Sequence, residues 1–509
     1  MDNFNVWYEF RELINKNKSL IYISIFVTVL SFGFSFSNFS IGIDDPAYYY
    51  YLHSNNCGNM IQQGRLCHVL LNKLSGAGDF IPFFNEFLAA ALYGLSGLLF
   101  CTLFQMVSKE KLTSFQLISF SVIYISYSLI TQKFIYSLDV LVTMLSYCAC
   151  AVSLAYSFAF VKTGRFKAFG FAVLYEMIAT GSYESFIMLY FCGVFAVFLV
   201  ELIINKEHIS FKNYLLEGLK YAAVLLVSIL AYYSLVILLQ LLSHQFGLFG
   251  RDNLLSMINS LGFIPALKQS LRSLGHCMLQ LKYLPVKEFV IISALGFAVF
   301  VFYSFRLKSL LIILSWLFLS AGNFLIPIFA GETLYRVCQT FCLFVSFNIF
   351  IFVYLLTKNR KTPEILVFAV SLLVFMQAAD MNRHFYNDYV RSQKEQFLIN
   401  SVASDIVRNC DVRKPVVFTK NGSLAYLNTN LYPEIEAGSP SAVNWGFNAF
   451  GDPTTPLLDE LFRMYGYDFI ITPSCNQACE GKEISINMPV WPHEGYINEL
   501  PEFIVVNIG

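Results

Sequence analysis

Charged residues are scarce in this sequence. Of its 509 residues only 13% are Asp, Glu, Lys or Arg, whereas 56% are hydrophobic and 17% are aromatic. A typical soluble domain carries about 25% charged residues, and the mean hydropathy here is +0.58. This balance excludes an ordinary soluble protein and predicts a chain that crosses a membrane several times.

Several motifs of well-known enzyme classes are also missing. No Gly-rich phosphate loop follows a strand, and neither HExxH nor GxSxG occurs. The sequence offers no cytoplasmic domain with a DxD motif that could hold a nucleotide sugar and its metal. The histidines show no metal-ligand spacing, so a divalent cation is compatible with the sequence but not indicated by it. No cofactor is therefore expected.

Long apolar runs, in contrast, are abundant. A bilayer core is crossed by about 20 apolar residues, and the runs predict a polytopic α-helical membrane protein with about eleven transmembrane helices. Lys and Arg cluster in alternate short loops, which predicts a cytoplasmic N-terminus and a C-terminus on the outer side. The predicted spans are 20–38, 83–107, 113–131, 138–161, 168–182, 185–204, 215–242, 288–305, 310–330, 337–356 and 364–380.

Three longer segments are expected on the outer side. Two are loops of the membrane domain 1–380: loop 40–82 and loop 243–287, the second with the amphipathic stretch "LLSMINSLGFIPALKQSLRSL". The third is the tail 381–509, which is polar and has the strand-like runs "KPVVFTK", "YGYDFIIT" and "EFIVVNIG" between turn residues. The tail is predicted to be a small α/β domain.

An acid pair, Asp44 and Asp45, follows the first predicted span in "FSIGIDDPAYYYYLH". A carboxylate at the membrane surface can act as a general base on a hydroxyl group. The sequence does not decide between the two acids, although Asp45 is slightly favoured because it is further from the span. Tyr48 and Tyr49 lie in the tyrosine run that follows. They are equally compatible with a belt of aromatic residues at the membrane interface and with a surface on which a sugar ring stacks.

Further ionisable residues gather at the outer ends of the spans, which predicts a hydrated cavity open to that side. The competing interpretation is that outer ends tolerate acids because inner ends prefer bases. Arginine suits phosphate through its planar fork, although Arg336 could equally be an interface anchor. Arg336, Arg65 and Lys133 are the expected phosphate-binding residues, and Glu184, Tyr183, Glu332 and His68 are expected to contact substrate together with Tyr48 and Tyr49.

The cysteines of the outer segments are candidates for disulfides. Cys57 and Cys67 lie in the same outer loop and are predicted to be joined, because an oxidising compartment permits such bonds. In the tail, a bridge that involves Cys410 is preferred to a metal site at Cys475 and Cys479. Its connectivity is left open.

Several short motifs together resemble the serotype-converting O-antigen glucosyltransferases of the glucosyltransferase-II type. The motifs are "FSIGIDDPAYYYY", "QQGRLCHVLLNKL", "GSYESF" and the closing segment "MPVWPHEGYINELPEFIVVNIG". They extend from the first span to the C-terminus. Pro46 departs from the pattern, because an acidic or polar residue is expected directly after the acid pair.

The resemblance implies a GT-C class glycosyltransferase of the bacterial inner membrane, with a periplasmic C-terminal domain and Asp44 or Asp45 as the catalytic base. It implies undecaprenyl-phosphate glucose as the donor, a sugar of the lipid-linked O-antigen as the acceptor, and inversion at the anomeric carbon. Membrane lipid and the proteins that make and flip the lipid-linked glucose are the implied partners, and nucleic acid is not. The alternatives are a transporter or flippase of lipid-linked sugars, and an O-antigen polymerase or ligase. The acceptor sugar and the linkage stay open.

Overall fold

The computed structural model describes residues 5–38, 40–53, 65–75, 81, 83–207, 209–243, 254–280, 282–330, 338–358, 363–428, 431, 441–448 and 454–509. Most of these residues are helical. The helices are α1 (Val6–Lys16), α2 (Lys18–Ser37), α3 (Asp45–His53), α4 (Leu66–Ser75), α5 (Phe84–Val107), α6 (Ser114–Ser126), α7 (Thr131–Phe134), α8 (Ser137–Thr163), α9 (Phe166–Ser182), α10 (Phe186–Ile203), α11 (Phe211–Ser243), α12 (Leu254–Leu261), α13 (Phe263–Leu279), α14 (Leu284–Leu307), α15 (Leu310–Ala330), α16 (Phe341–Thr357), α17 (Glu364–Asn409), α18 (Ala442–Asn448), α19 (Pro456–Met464) and α20 (Cys475–Ser485).

Several of these helices are long and apolar enough to cross a bilayer. Eight meet both criteria among the described residues: α2, α5, α6 together with α7, α8, α10, α11, α14 and α17. Residues Leu310–Leu325 of α15 and the whole of α16 are apolar but shorter, and α9 has 17 residues. Each of the eleven predicted spans overlaps one of these helices. The predicted helical architecture is therefore confirmed and is compatible with a polytopic membrane protein, whereas the number of crossings stays a prediction.

Helix α8 lies at the centre of the helical part. Of its most apolar 18-residue window, 94% is buried inside the protein, compared with 28% for α2 and for α14. It packs against α5, α9 and α10. The start of α8, at Ser137, is also approached by α3 and α4 of the first outer segment. The most enclosed helix thus presents its first turn to the residues that follow the first span.

The C-terminal part contains a three-stranded sheet of order β1 (Val416–Thr419), β3 (Ile504–Asn507) and β2 (Ile497–Glu499). Strand β1 runs parallel to β3, and β2 runs antiparallel to it. Helix α20 packs against β1 and β3. The predictions of strands in "KPVVFTK" and "EFIVVNIG" are confirmed.

The third strand prediction, "YGYDFIIT", is wrong. This segment consists of turns and irregular backbone. Its contact with the sheet includes one hydrogen bond, which the Val416 amide donates to the Ile471 carbonyl over 3.0 Å. The buried side chain of Ile470 instead joins the apolar core of the tail, and packing of this kind does not require strand pairing.

Helix α17 runs for 46 residues without interruption. Its first half is apolar, and its second half continues as an amphipathic helix whose buried residues include Leu398, Val402 and Ile406. The predicted boundary between membrane domain and tail, at residue 380, therefore falls inside one continuous helix. The same apolar core that contains these residues also contains Ile41 of the first outer segment.

Candidate active site

The two acids of the pair have opposite surroundings. Asp45 is fully buried, and its carboxylate accepts hydrogen bonds from three backbone amides: Gly42 over 2.7 Å, Ser137 over 3.2 Å and Leu138 over 3.1 Å. Ser137 and Leu138 are the first residues of α8, whose amides have no partner within the helix. Asp45 thus joins the turn before α3 to the start of α8.

The pKa of Asp45 depends on this burial and on these hydrogen bonds. Burial raises the pKa of the Asp45 carboxyl to about 7, and the amides of Leu138, Gly42 and Ser137 oppose that rise because they favour the charged form. The oxygen atoms of Asp45 are thus already occupied and enclosed, an arrangement that suits positioning of the backbone better than proton transfer. The structure does not support the preference for Asp45 over Asp44 as the base.

The turn before α3 depends on a glycine. A Cβ atom at Gly42 would lie 2.1 Å from the Ile135 carbonyl oxygen, so a larger residue cannot keep this close approach. Pro46 lies in the first turn of α3, where a helix does not need the missing N–H. The unexpected proline is therefore compatible with a tight turn that ends in the acid pair.

Asp44 directly precedes Asp45 in this turn, and its side chain is partly exposed. Burial chiefly raises the pKa of the Tyr48 hydroxyl, and the nearby carboxylates of Asp139 and Asp44 add to that rise while Arg65 opposes it. Asp44 is therefore within electrostatic reach of Tyr48 and the residues around it. Of the two acids, it is the one that a substrate can approach.

Two cations meet at one tyrosine ring. The guanidinium carbon of Arg65 lies 4.9 Å from the ring centroid of Tyr183, and Lys133 Nζ lies 3.6 Å from it. Arg65 Nη1 also donates a 2.6 Å hydrogen bond to the Tyr48 hydroxyl. Arg65, Lys133 and Tyr183 are all buried, and we call them the cationic cluster. Two buried cations beside one aromatic ring form a favourable place for an anion.

Acids near this cluster balance its charge. Glu184 is partly buried, and together with Tyr48, Tyr183 and Asp139 it raises the pKa of Arg65 against the opposing effect of burial. The structure therefore brings together seven of the residues that the sequence predicted, from four separate segments of the chain. They are Asp44, Tyr48, Arg65, His68, Lys133, Tyr183 and Glu184.

His68 is fully buried behind Tyr48, with 5.4 Å between the two ring centroids. Asn72 Nδ2 lies 2.8 Å from His68 Nε2. Asp139 Oδ1 lies 3.2 Å from His68 Nδ1, too poorly aligned to be a hydrogen bond. Burial lowers the pKa of His68 to about 4, assisted by Arg65 and Lys133 and opposed by Asp139. His68 is therefore neutral at pH 7 and orients its neighbours.

Sequence reasoning did not assign Asp139, Asn72 or Gln339 to the site. Asn72 follows His68 by one helical turn on α4, and Asp139 lies in the first turn of α8, so spacing on a helix could have indicated both. Gln339 shows no comparable signal. The amide nitrogen and oxygen of its side chain have no hydrogen-bond partner in the described part of the chain.

Gln339 and Lys133 line a small cavity with room for about one water molecule. Unpartnered buried amide atoms are rare in proteins, so this cavity can receive a hydrogen-bonding group. Its lining residues are Tyr127, Leu129, Ile130, Lys133, Tyr147, Cys338, Gln339 and Cys342.

The tail holds the segment that precedes the acid pair. Arg391 of α17 is fully buried; it donates hydrogen bonds to the Ile41 carbonyl and forms ion pairs with Asp388 and Glu395. Ser40 donates a hydrogen bond to Asp388, and α19 packs against α3. The position of the acid pair therefore depends on the tail as well as on α8.

Of the remaining predicted residues, some lie elsewhere and some lie outside the described part of the chain. Tyr49 lies on α3 with a partly exposed side chain. Glu332, Arg336 and Cys57 lie outside the described residues. Cys67 is a free cysteine whose Sγ donates to the Met177 carbonyl over 3.7 Å, so the Cys57–Cys67 bond stays a prediction without support from the structure. Cys410, Cys475 and Cys479 are also free, and the preferred bridge that involves Cys410 is not formed.

No group of three or more His, Cys, Asp or Glu side chains in the described ranges is arranged to hold a metal ion. The arrangement is instead that of a partly exposed carboxylate, Asp44, within electrostatic reach of Tyr48, whose hydroxyl accepts a hydrogen bond from Arg65, one of two buried cations that share the Tyr183 ring. Such a site can remove a proton from a hydroxyl group and bind an anionic group nearby.

One of three comparisons with known proteins gave a match. A comparison with curated proteins and a comparison with solved structures gave no match. A family model described as "Glucosyl transferase GtrII" matches residues 33–354, which is more than half of the chain. The matched range contains Asp44, the cationic cluster and His68. The chain therefore belongs to the GtrII glucosyl transferase family.

Proposed function

We propose that this glucosyltransferase takes glucose from undecaprenyl-phosphate glucose and attaches it to a sugar of the lipid-linked O-antigen. The reaction would take place on the periplasmic face of the bacterial inner membrane and would add a side branch that changes the serotype. Family membership supports the transfer of glucose over the transport and polymerase alternatives. One observation carries the choice of a lipid-phosphate donor: the partly exposed Asp44 is within electrostatic reach of Tyr48, whose hydroxyl accepts a hydrogen bond from the buried Arg65. Arg65 shares the Tyr183 ring with the buried Lys133, and all of these residues lie beside helices that can span a bilayer.

The proposed mechanism divides two tasks between these residues. Asp44 removes the proton from an acceptor hydroxyl as its oxygen attacks the anomeric carbon of glucose. The bond between that carbon and the phosphate oxygen breaks, and its electron pair leaves with undecaprenyl phosphate. Arg65 and Lys133 stabilise the negative charge on the departing phosphate. Attack opposite to the leaving group inverts the anomeric carbon.

A general acid is not needed in this scheme, because a phosphate monoester is already a good leaving group. General-base assistance contributes about 10²–10⁴-fold to rates, so most of the effect of the acid pair should come from one carboxylate. Asp45 does not fit this role, since its carboxylate already accepts three backbone amides. Tyr48 and Tyr183 would orient the sugar and the phosphate, while Asp45 and His68 would position the groups that touch them.

The test compares Asp44→Asn with Asp45→Asn in membranes supplied with both lipid-linked substrates. Released undecaprenyl phosphate is measured per molecule of folded protein. Asp44→Asn should lower turnover by about 10²-fold or more while the amount of protein and the binding of donor lipid stay normal. Asp45→Asn should instead reduce the amount of folded protein, because its amide group presents a donor to the amides that start α8.

Near-normal turnover in Asp44→Asn would disprove its role as the base. Glu184 is the next candidate, because it is a partly exposed carboxylate that acts on the pKa of Arg65. The same variant made at Glu184 would then be measured in the same assay.

A further inference from the structure

The helices α12 and α13 occupy a defined position relative to the bilayer. They lie between α11, which ends at Ser243, and α14, which begins at Leu284, and both of these are long and apolar enough to span a membrane. Helix α13 ends at Leu279, a short turn before α14. It therefore lies close to the level at which α14 enters the bilayer. Both α12 and α13 also pack against α15.

Helix α13 has two unlike faces. One face packs against the protein through the buried residues Ala266, Ser270 and Cys277. The other face leaves Ile264 76% exposed and Leu271 48% exposed. A soluble protein rarely exposes such a cluster of large apolar side chains without a partner, and the neighbouring bilayer is the apolar phase within reach.

Charges of a single sign accompany this apolar face. Lys268 and Arg272 are exposed and lie one helical turn apart on α13. The sequence of α12 and α13, from residue 254 to residue 279, contains no Asp or Glu. Five residues line an open surface groove here: Ile264, Leu267, Lys268, Leu271 and Arg272. We call these five residues the α13 groove.

We propose that the α13 groove binds anionic phospholipids of the surrounding leaflet. The acyl chains would lie against Ile264, Leu267 and Leu271, and the lipid phosphate would lie between the side chains of Lys268 and Arg272. An amphipathic helix with cations beside its apolar face binds the interface of a bilayer through both features. Bound lipid would fasten the segment between α11 and α14 to the membrane surface, independently of the transfer reaction at Asp44.

The experiment uses the purified full-length protein in lipid nanodiscs that contain phosphatidylcholine and phosphatidylglycerol. Native mass spectrometry counts the retained molecules of each lipid in wild type and in the double variant Lys268→Gln/Arg272→Gln. The double variant Arg408→Gln/Lys482→Gln removes the same charge from exposed positions of α17 and α20 and is the matched control. Each cation near a charged bilayer contributes a factor of about five in binding. Retention of phosphatidylglycerol should therefore fall about 25-fold in the α13 variant and stay unchanged in the control.

A second readout locates the lipid directly. The fluorescence of Leu267→Trp, corrected for the natural tryptophans, should be quenched more strongly by bromine-labelled phosphatidylglycerol than by bromine-labelled phosphatidylcholine. Equal quenching by the two lipids, or equal retention in the two double variants, would overturn the proposal. Displacement of phosphatidylglycerol by one equivalent of undecaprenyl phosphate would also overturn it, because the groove would then belong to the donor lipid. All of these outcomes are independent of turnover and of Asp44.

Discussion

Tyr183 presents the face of its ring to two cations at once, Arg65 and Lys133. We predict that Tyr183→Phe keeps the donor KM within about twofold of wild type, whereas Tyr183→Leu raises it by about 3- to 30-fold, the range of one cation–π contact. Donor titrations at saturating acceptor measure both values. Equal KM values for the two variants would show that the ring does not support Arg65 and Lys133.

His68 should make stability depend on pH. The pKa of its imidazole is about 4 in the folded protein because the ring is buried, compared with about 6.5 in an unfolded chain. Between these values the unfolded state binds a proton that the folded state excludes. Stability is therefore lost as pH falls from about 6.5 to 4, by at most about 1.4 kcal/mol per pH unit.

Replacing His68 by Gln removes this proton from the unfolded state. We predict that thermal unfolding midpoints of His68→Gln decline less between pH 6.5 and pH 4.5 than those of wild type, even if the variant is less stable at pH 7. His493→Gln is the control, because His493 is exposed and should leave the wild-type slope unchanged. Parallel curves for wild type and His68→Gln would contradict the prediction.

For single residues, the sequence identified residue types and approximate positions but not the directions in which the side chains point. Asp44 and Asp45 are adjacent and chemically identical, and which of them points inward depends on where the amides of Ser137 and Leu138 lie. Those amides are more than 90 residues away in the chain, so no local pattern contains this information. Lys133 and Tyr183 could be predicted individually because each is an ionisable or aromatic residue near the end of an apolar run, and Arg65 because it is an arginine in the outer loop that follows the acid pair.

The turn between α2 and α3 depends on one glycine that has no room for a side chain. We predict that Gly42→Ala lowers both thermal stability and turnover, because the new Cβ would move the turn away from the Ile135 carbonyl and displace the acid pair. Gly170→Ala is the matched control, since Gly170 lies in helix α9 with open space around it. This control should stabilise the helix by up to about 1 kcal/mol.

Thermal unfolding and turnover per folded molecule distinguish the two glycines. If Gly42→Ala kept wild-type stability, the turn would have to adapt without moving the acids. The close approach to Ile135 would then not be what positions Asp44 and Asp45.

The elements themselves were predictable to the extent that they depend on local patterns. Apolar runs of bilayer length indicate helices because the bilayer leaves few other ways to satisfy the backbone. The length of α17 was missed because its apolar pattern ends near residue 380, although no Gly or Pro interrupts residues 364–409. The segment "YGYDFIIT" was misjudged because its aromatic and branched residues pack into the core of the tail without pairing in the sheet.

For the molecule as a whole, the distribution of Lys and Arg over the short loops predicts an orientation. We predict that a reporter fused at Gly509 is active only in the periplasm, and that one fused after Gly164, between α8 and α9, is active only in the cytoplasm. Gly164 follows a loop cation, Lys162, and precedes two more, Arg165 and Lys167. The opposite pair of results would invert the orientation and place Asp44 on the cytoplasmic face.

Because helix α17 is continuous, the height of its residues above the membrane can be calculated from their number along the helix. At about 1.5 Å per residue, Arg391 lies about 40 Å along the helix from Glu364, and about 30 Å of that length is needed for the hydrocarbon core. Arg391 would then stand about 10 Å beyond the core, at the level of lipid head groups. Because Arg391 holds the Ile41 carbonyl, the neighbouring acid pair is fixed near the same elevation. The length of α17 would thus place Asp44 at the same height as the phosphate group of a lipid in the adjacent bilayer.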